Sequence, residues 1–381
     1  MIYDIKCDVV VIGGGVIGTS IAYNLAKRSV DVILVEKDDL ASGTSGSCDG
    51  FVFMQSKKPG IHLDIALESS RIMQSLATEL KRDIEYDKNG GMILIESAED
   101  ISEMQNLVRQ QRSSGLDVEL LDSKQARDVE PSLSQNIAGA IYSQMDGHVN
   151  PISLCLAYAE SAKELGAKIL TNAEVTEINV SNGKVQRVVT TKGSIKANIV
   201  INSAGVYAPQ VAKLVGIDPP IIPRRGQVAV TESVPRFIKR VMICNRYIKS
   251  KFSPNQIQDP LGVGLAIEQT KSGNILIGST REFVGYNRQV TPEGIQAVLR
   301  YARRFVPAIS EINIIRTFAG LRPYTPNGLP ILAKAKNIKG FIISAGHEGD
   351  GIALSPVTGV IIADIVTKGK SDLWDDKGIG L

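Results

Sequence analysis

A glycine-rich turn near the start of the chain has the spacing of a nucleotide-binding motif. Gly13, Gly15 and Gly18 form a G-x-G-x-x-G pattern between the β-branched run Asp8–Ile12 and a predicted helix, Val16–Arg28. In such a turn the first glycine permits the tight bend, the second lets a pyrophosphate approach the backbone, and the third lets the helix lie close to the strand. Free N–H groups and the positive end of the helix dipole would then bind the anion.

The residues after the second predicted strand identify the nucleotide more closely. Val32–Val35 ends in Glu36, roughly 20 residues after the turn, where a carboxylate can bind a ribose hydroxyl and disfavours a 2′-phosphate. These features alone do not distinguish FAD from NAD. The stretch 41–50 favours FAD, because a loop of small and hydroxyl residues can lie against pyrophosphate and ribityl and then follow an isoalloxazine ring. Taken alone, that loop would be typical of a flexible surface segment.

Two segments near the C-terminus supply further candidate groups. Ser344–Ile352 opens the last predicted helix, and its backbone N–H groups can face the pyrimidine edge of a flavin, where negative charge accumulates on reduction. Pro356 is predicted to fall early in that helix, where first-turn amides have no intrahelical partner. Arg322 lies in a turn rich in Pro and Gly, which suits bidentate binding of a carboxylate, although an isolated arginine is more often a surface or ion-pair residue.

The rest of the chain argues against several other chemistries. His62, His148 and His347 are not spaced as in H-E-x-x-H, and the four cysteines include no C-x-x-C pair, so we expect no metal site and no iron–sulfur cluster. The setting of His148 is more typical of a structural residue, and the cysteines are typical of thiols in a reducing compartment. No G-x-S-x-G motif supports hydrolase chemistry.

The composition is that of a soluble globular protein, with 43% hydrophobic and 22% charged residues. A formal net charge of +3 over 381 residues is too small to suggest nucleic-acid binding. We recognise no signal peptide and no apolar run long enough for a transmembrane segment. We therefore expect a cytoplasmic protein, and peripheral membrane attachment stays open.

Strands and helices alternate at both ends of the chain, and the middle is richer in strands. The predicted helices beyond the first are Leu63–Lys81, Ile101–Ser113, Pro151–Leu165 and Ile352–Thr367. The predicted strands beyond the second are Gly91–Glu96, Ala167–Leu170, Glu174–Val180, Val185–Thr190, Ile199–Asn202 and Gly340–Ser344. The stretch Gly226–Ile277 is predicted as strands and turns, with a connection near Asn255–Gly264. This order indicates one domain built from both ends and a central stretch, with a second domain inserted in two pieces.

In this order, the motifs resemble those of the D-amino-acid oxidase (DAO) superfamily of FAD-dependent oxidoreductases. Within it, the chain is most similar to glycine oxidase and to the flavin-bearing β subunits of sarcosine oxidase, proline and hydroxyproline dehydrogenases, and opine oxidases. The resemblance covers nearly the whole chain. It rests on the N-terminal fingerprint and on Gly43–Gly50, Asp146–Pro151, Ala167–Val180, Asn202–Gly205, Pro223–Gln227, Gly320–Pro330 and Gly346–Gly359.

The resemblance implies an α/β (α+β) fold, in which a Rossmann-like FAD-binding domain carries an inserted mixed-sheet substrate domain. The FAD-binding domain would comprise residues 1–80, 145–222 and 320–381, and the substrate-binding domain residues 81–144 and 223–319. Monomeric sarcosine oxidases attach their flavin to a cysteine near the position of Gly320, and this chain has none there. We therefore expect non-covalent FAD.

The resemblance also implies roles for single residues. Arg322 would bind the substrate carboxylate, with Phe51 beside the flavin ring or the substrate. The tyrosine that assists in glycine oxidase is missing from the segment 264–269, so either Tyr247 or Tyr324 would replace it or the substrate would be held differently. The implied FAD contacts, with those of the fingerprint, are Gly13, Gly15, Val16, Ile17, Gly18, Glu36, Lys37, Thr44, Ser45, Cys48, Asp49, Gly50, Val175, Ala204, Gly205, Gly349, Asp350, Gly351 and Ile352.

We predict an enzyme that oxidises the C–N bond of an amino acid by hydride transfer to flavin N5. The substrate would be glycine or, more in keeping with the resemblance, a secondary or N-substituted amino acid such as proline, hydroxyproline, sarcosine or an opine. Arg322 would orient it, and the neutral amine would need no side-chain base. Leu276 stands where monomeric sarcosine oxidases have a lysine that promotes the reaction with oxygen, which favours a dehydrogenase, although glycine oxidase also reacts with oxygen without this lysine.

Two alternatives stay open at this point. One is a FAD-dependent dehydrogenase of a 2-hydroxy acid or glycerol phosphate, for which His347 is the candidate general base. The other is the flavin subunit of a heteromeric dehydrogenase, inactive without its partner subunits. Whichever of these functions the protein has, we expect it to be an oligomer.

Overall fold

The computed structural model describes residues 3–252 and 259–374. Within them the helices are α1 (Val16–Ala26), α2 (Ile61–Leu80), α3 (Ile101–Ser113), α4 (Ser123–Val129), α5 (Pro151–Glu164), α6 (Ala208–Lys213), α7 (Asn245–Phe252), α8 (Pro292–Ala302) and α9 (Gly351–Lys368). The strands are β1 (Tyr3–Lys6), β2 (Val9–Ile12), β3 (Val32–Val35), β4 (Phe51–Val52), β5 (Gly91–Ile95), β6 (Glu119–Asp122), β7 (Gly139–Ser143), β8 (Gly147–His148), β9 (Lys168–Leu170), β10 (Val175–Ser181), β11 (Lys184–Thr190), β12 (Gly193–Lys196), β13 (Ile199–Asn202), β14 (Ile222–Thr231), β15 (Val241–Cys244), β16 (Ala266–Gln269), β17 (Ile275–Gly278), β18 (Ile314–Tyr324), β19 (Ile331–Lys334) and β20 (Phe341–Ala345).

A six-stranded sheet forms the nucleotide-binding half of the molecule. Its order is β19-β20-β13-β2-β3-β9, and every pairing except β19 with β20 is parallel. All residues of β2 and β3 are buried, as expected for central parallel strands covered on both faces. In such a sheet ligands bind beyond the carboxyl ends of the strands, which here carry the glycine turn and Glu36.

Helices α1 and α9 pack against each other on one face of this sheet. The hydroxyl of Ser20 in α1 donates to the carbonyl of Ser355 in α9 at 2.7 Å. A Cβ at Gly359 would lie 2.3 Å from the same hydroxyl, so the approach requires glycine there. We expected no apolar run long enough to cross a membrane, but helix α9 is long and apolar enough by length and composition alone. Most of its residues are buried in the protein, as in the core helix of a globular fold.

The expectation for Pro356 needs correction. Helix α9 begins at Gly351, so Pro356 lies inside the helix, beyond the first turn. A proline there leaves the carbonyl of Ile352 without its usual backbone donor. The hydroxyl of Ser355 donates to that carbonyl at 3.0 Å and replaces the missing bond.

An eight-stranded mixed sheet forms the other half, in the order β18-β14-β17-β16-β15-β5-β7-β6. The stretch 226–277 was predicted as strands and turns only, but it includes helix α7, which directly follows β15. Residues 255–258 of the predicted connection lie outside the described residues. Strands β14 and β18 cross the predicted domain boundaries at 222/223 and 319/320, and the domain division stays a prediction.

The contact of α1 with β2 yields a test of the fold. A Cβ at Gly18 would lie 1.9 Å from the carbonyl oxygen of Gly13. We expect Gly18→Ala to lower the free energy of unfolding by about 1–3 kcal/mol, because overpacking against rigid backbone outweighs the better helix propensity of alanine. Thermal unfolding with and without FAD measures this.

Gly43→Ala is the matched control for the measurement without FAD, since Gly43 lines the cofactor cavity but a Cβ there meets no protein atom within 4 Å and its φ is −87°. An unfolding midpoint of Gly18→Ala equal to that of Gly43→Ala would contradict this account of the turn.

Candidate active site

A cavity of about 560 Å³ runs past the carboxyl ends of β2, β3 and β20 to the eight-stranded sheet. This volume is typical of small-molecule and cofactor sites. Most of the predicted site residues line it: Gly13, Gly15, Val16, Ile17, Glu36, Lys37, Thr44, Ser45, Cys48, Asp49, Phe51, Val175, Ala204, Gly205, Tyr247, Arg322, His347, Gly349, Gly351 and Ile352. Segments distant in sequence therefore share one elongated groove.

The glycine turn forms the narrow part of the groove. Gly13 has a φ of +112°, and a Cβ there would lie 2.5 Å from the carbonyl oxygen of Ser203. Gly15 borders the groove, where a Cβ would lie 3.2 Å from the hydroxyl of Ser45. A side chain at Gly13 would clash with the backbone of Ser203, and one at Gly15 would narrow the groove beside Ser45.

Glu36 is fixed at one end of the groove by two backbone amides. The N–H of Gly14 donates to Oε2 at 2.6 Å, and the N–H of Asp38 donates to Oε1 at 2.9 Å. The carboxylate is thus oriented at the end of β3, where it can accept from ribose hydroxyls. Beside it, the ammonium of Lys37 lies 4.1 Å from the ring centroid of Tyr207, which also lines the cavity.

The loop 41–50 connects the two halves along the groove. The N–H of Val16 donates to the hydroxyl of Ser45 at 3.0 Å, and the hydroxyl of Thr44 donates to the carbonyl of Leu321 at 2.7 Å. These bonds tie the loop to the first turn of α1 and to β18. The loop is therefore ordered, not the flexible surface segment that its composition alone would suggest.

Arg322 marks the opposite end of the groove. Its guanidinium donates to the carbonyl of Thr280 at 3.1 Å and to the hydroxyl of Ser279 at 2.8 Å. A Cβ at Gly226 would lie 2.3 Å from Nη1 of Arg322, so the paired strand β14 needs glycine at this point. Both acceptors are neutral, which leaves the positive charge available to an anionic ligand.

Tyr247 lies next to Arg322, although it comes from α7 and not from the strand where a tyrosine was expected. A Cβ at Gly349 would lie 3.7 Å from Cδ of Arg322 and 3.8 Å from the hydroxyl of Tyr247, so the two side chains border one space. Gly264 contacts Tyr247 directly, since a Cβ there would lie 3.1 Å from its Cα. In the segment that lacks the expected tyrosine, Gly264 thus leaves room for Tyr247.

Further charged residues behind Tyr247 were not predicted. The guanidinium carbon of Arg281 lies 3.9 Å from the ring centroid of Tyr247. Glu348 lines the cavity, and its Oε1 lies 3.7 Å from Arg224 and 3.8 Å from Arg281. Burial is the largest cause that lowers the pKa of Arg224, to about 10. Three arginines surround this end of the cavity, which favours an anionic substrate. In the sequence, the two consecutive arginines within Pro223–Gln227 were the feature that could have indicated a role for Arg224.

His347 and Asp49, which both line the cavity, have displaced pKa values. Burial lowers the pKa of His347 to about 3, and its Nε2 lies 3.1 Å from the hydroxyl of Thr358. Burial, reinforced by the nearby carboxylate of Glu268, raises the pKa of Asp49 to about 6, although Arg322 opposes this shift. His347 is therefore a weak base, whereas Asp49 changes its charge near neutral pH.

Four predicted site residues do not line the cavity. Gly18 packs beneath the turn, and Gly50 packs against Val149, where a Cβ would lie 1.9 Å from the carbonyl oxygen. Asp350 turns away, because its buried carboxylate is bound by Lys57 at 2.7 Å and by His62 at 3.1 Å. Tyr324 packs edge-on against Phe283 at 5.3 Å. Of the two predicted replacements for the missing tyrosine, only Tyr247 reaches the cavity.

The groove fits FAD along its whole length. It offers a fixed carboxylate at the ribose end, a glycine-lined constriction for the pyrophosphate, and the first residues of α9 with Arg322 at the ring end. Among the described residues, no cluster of three or more His, Cys, Asp or Glu side chains is placed to hold a metal ion.

Comparisons with known proteins agree with this geometry. The family model described as "DAO: FAD dependent oxidoreductase" matches residues 8–365. Glycine oxidase of Geobacillus kaustophilus is 31% identical over 372 residues, covering 95% of this chain and 93% of that protein. Hydrogen cyanide synthase subunit HcnC of Pseudomonas aeruginosa is 28% identical, covering 94% and 92%. The structure of L-proline dehydrogenase from P. horikoshii superimposes with a TM-score of 0.88 at 27% identity, covering 97% and 96%.

The fixed position of Glu36 yields a test of the ribose end. We expect Glu36→Gln to weaken FAD binding about 10-fold, or about 1.4 kcal/mol, because a charge-assisted acceptor is lost while the side-chain shape is kept. Titration of the apoprotein with FAD, followed by flavin fluorescence, measures the change. The exposed Asp39 provides the control Asp39→Asn, and equal affinities of the two variants would argue against the assignment.

Proposed function

Since this chain belongs to the DAO family of FAD-dependent oxidoreductases, we propose that it oxidises the C–N bond of a secondary or N-substituted amino acid. Substrates of the proline, hydroxyproline, sarcosine or opine type fit this class, with glycine as its smallest relative. The observation that carries the proposal is the pairing of Arg322 with Tyr247 around Gly349, at the ring end of the groove.

Arg322 and Tyr247 provide the carboxylate site. Two guanidinium N–H groups of Arg322 already donate to fixed neutral oxygens, so the side chain is oriented before a ligand arrives. The hydroxyl of Tyr247 borders the same space. A substrate carboxylate bound there would place the α carbon over the ring end of the groove. This contribution is proximity and orientation, which can lower a barrier by several kcal/mol.

The remaining residues shape a dry and positive environment for the reaction. When bound, FAD supplies the oxidant and accepts a hydride equivalent from the substrate. Phe51, 8% exposed and 5.8 Å from Phe53, forms an apolar wall of the cavity. The N-terminal end of α9, at Gly351 and Ile352, points its helix dipole toward the ring end and favours negative charge there.

Oxidation of a 2-hydroxy acid is the less favoured alternative. An alcohol needs a general base whose pKa lies near the working pH. The pKa of His347 is lowered to about 3, mainly by burial, so this side chain does not readily accept a proton at neutral pH. This weakens the 2-hydroxy-acid alternative in which His347 is the base, whereas a neutral amine needs no base in the hydride-transfer step itself.

Partner subunits are part of the proposal, because HcnC is described as a subunit of hydrogen cyanide synthase. The edge strand β18 of the eight-stranded sheet exposes Ile314 and Ile315, the latter at 62%. Such apolar side chains on an edge strand suit a protein contact. Purification of the protein from its native source tests this idea: full turnover by the chain alone would argue against a required partner.

Arg322 yields a direct test of the carboxylate site. We expect Arg322→Met to lower kcat/KM for the amino acid at least ~100-fold, about 2.7 kcal/mol, because a bidentate charged hydrogen-bond pair is lost. Arg322→Lys should have a kcat/KM between those of the wild type and Arg322→Met. Arg316 is exposed on the same strand, so Arg316→Met is the matched control and should retain wild-type kinetics. Equal kinetics of Arg322→Met and Arg316→Met would contradict the proposal.

His347 separates the two substrate classes. We expect His347→Gln to leave the pH dependence of flavin reduction by an amine unchanged between about pH 6 and 9, because the pKa of His347 lies far below this range. Stopped-flow reduction at several pH values measures it. Loss of a pH-dependent limb in His347→Gln would identify His347 as a base and favour a hydroxy acid.

A further inference from the structure

Four acid–base side chains, of which the middle two are buried, lie in a row between the active-site cavity and a second cleft on the surface. The row contains Asp49, Glu268, His148 and Asp87. Asp49 lines the active-site cavity, whereas His148 and Asp87 line the second cleft. The mechanism above uses none of these four side chains.

Glu268 occupies the middle of the row. It lies in β16, is 3% exposed, and its Oε1 accepts from the N–H of Gly50, next to Asp49, at 2.9 Å. Its Oε2 lies 3.4 Å from Nδ1 of His148 and receives no hydrogen bond of good geometry within the described part of the chain. Burying a carboxylate with so few donors is costly, so a structural role alone does not account for it.

His148 connects Glu268 with the surface. Strand β8 pairs His148 with Phe51 of β4, and backbone bonds in both directions link His148 to Asp87. Nε2 of His148 lies 3.9 Å from Oδ2 of Asp87, a gap that one water or a small rotation closes. Asp87 has 41% of its side chain exposed and also binds Arg236 at 2.8 Å.

Oxidation of an amino acid in this site requires a route by which a proton can leave. A free amino acid carries a protonated amine at neutral pH, and this proton must leave before the nitrogen lone pair can assist oxidation. The N–H bond breaks, an O–H bond forms on a carboxylate, and the substrate then loses a hydride to the flavin. Each turnover therefore releases one proton into a cavity that FAD and the protein enclose.

We propose that Asp49 accepts this proton and that Glu268 and His148 pass it to the second cleft at Asp87. The proposal rests on the proposed function, since it concerns the proton of an amine substrate. Proton transfer along a chain of carboxylates and an imidazole is within the ordinary capacity of these groups.

The charges around the row are compatible with this role. Asp49 faces Cys48, Glu268 and Arg322, and the balance of burial and these charges raises its pKa to about 6. It is therefore largely ionised above pH 6 and can accept a proton there. His148 faces Glu268 on one side and Asp87 on the other, so each of its ring nitrogens has a carboxylate as its neighbour.

Proton release during a single anaerobic turnover tests the path. An amino acid is mixed with the holoenzyme in weakly buffered solution, and a pH-indicator dye and the flavin absorbance are followed together. In the wild type, we expect the dye signal to keep pace with flavin bleaching. In Glu268→Gln and in His148→Gln it should lag at least ~10-fold behind. Imidazole should restore the rate in His148→Gly, which a merely structural role would not allow.

Asp83→Asn is the matched control, because Asp83 lines the same cleft, is paired with Lys271 and lies outside the row. It should behave as the wild type. Proton release in step with bleaching in both Glu268→Gln and His148→Gln would overturn the path. If one of these two variants does not fold, the other variant tests the same path at the neighbouring residue.

A second measurement separates this proposal from the proposed function. Reduction of bound FAD by electrochemically reduced methyl viologen needs no amine, and because this donor releases no proton, the reduced flavin draws one from solution. If no amino acid bleaches the flavin, the proposed function fails, while proton uptake during this reduction still tests the path. Uptake slowed in Glu268→Gln, but not in Asp83→Asn, would support the path; equal rates would overturn it.

Discussion

The close contact between α1 and α9 is the constraint on which the site depends. Both helices begin at the cofactor groove, one at the glycine turn and the other at Gly351, and they come from opposite ends of the chain. The bond from Ser20 to Ser355 and the absence of a side chain at Gly359 allow the backbones to approach closely. Two positive helix ends can therefore act on one bound cofactor, at its pyrophosphate and at its ring.

Most buried charged side chains around the ring end lie close to a side chain of opposite charge. Lys57 and His62 bind Asp350, which joins the start of α2 to the cap of α9. Glu348 lies between Arg224 and Arg281. Arg322 differs, since its guanidinium donates to neutral oxygens. A partly buried cation held in this way is prepared for an anion, and a substrate carboxylate meets that requirement.

The sequence predicts those structural features that residues close together in the chain determine. The turn Gly13–Gly18 and the position of Glu36 were predictable, because backbone conformation and short spacing determine them. Helix α7 was mistaken for part of a strand region, so the position of Tyr247 could not be derived. Asp350 was expected at the cofactor but binds Lys57 instead. Glu268 was overlooked, because its setting beside His148 depends on pairing between strands that are far apart in the chain.

The most direct test of the account is the visible spectrum of the purified protein, recorded without oxygen during titration with single amino acids. The set should contain glycine, sarcosine, both enantiomers of proline, the hydroxyproline isomers and an opine, with a 2-hydroxy acid for comparison. The account predicts flavin bands that bleach with a secondary or N-substituted amino acid and do not respond to the hydroxy acid. Flavin bands that ignore every amine but bleach with the hydroxy acid would contradict it.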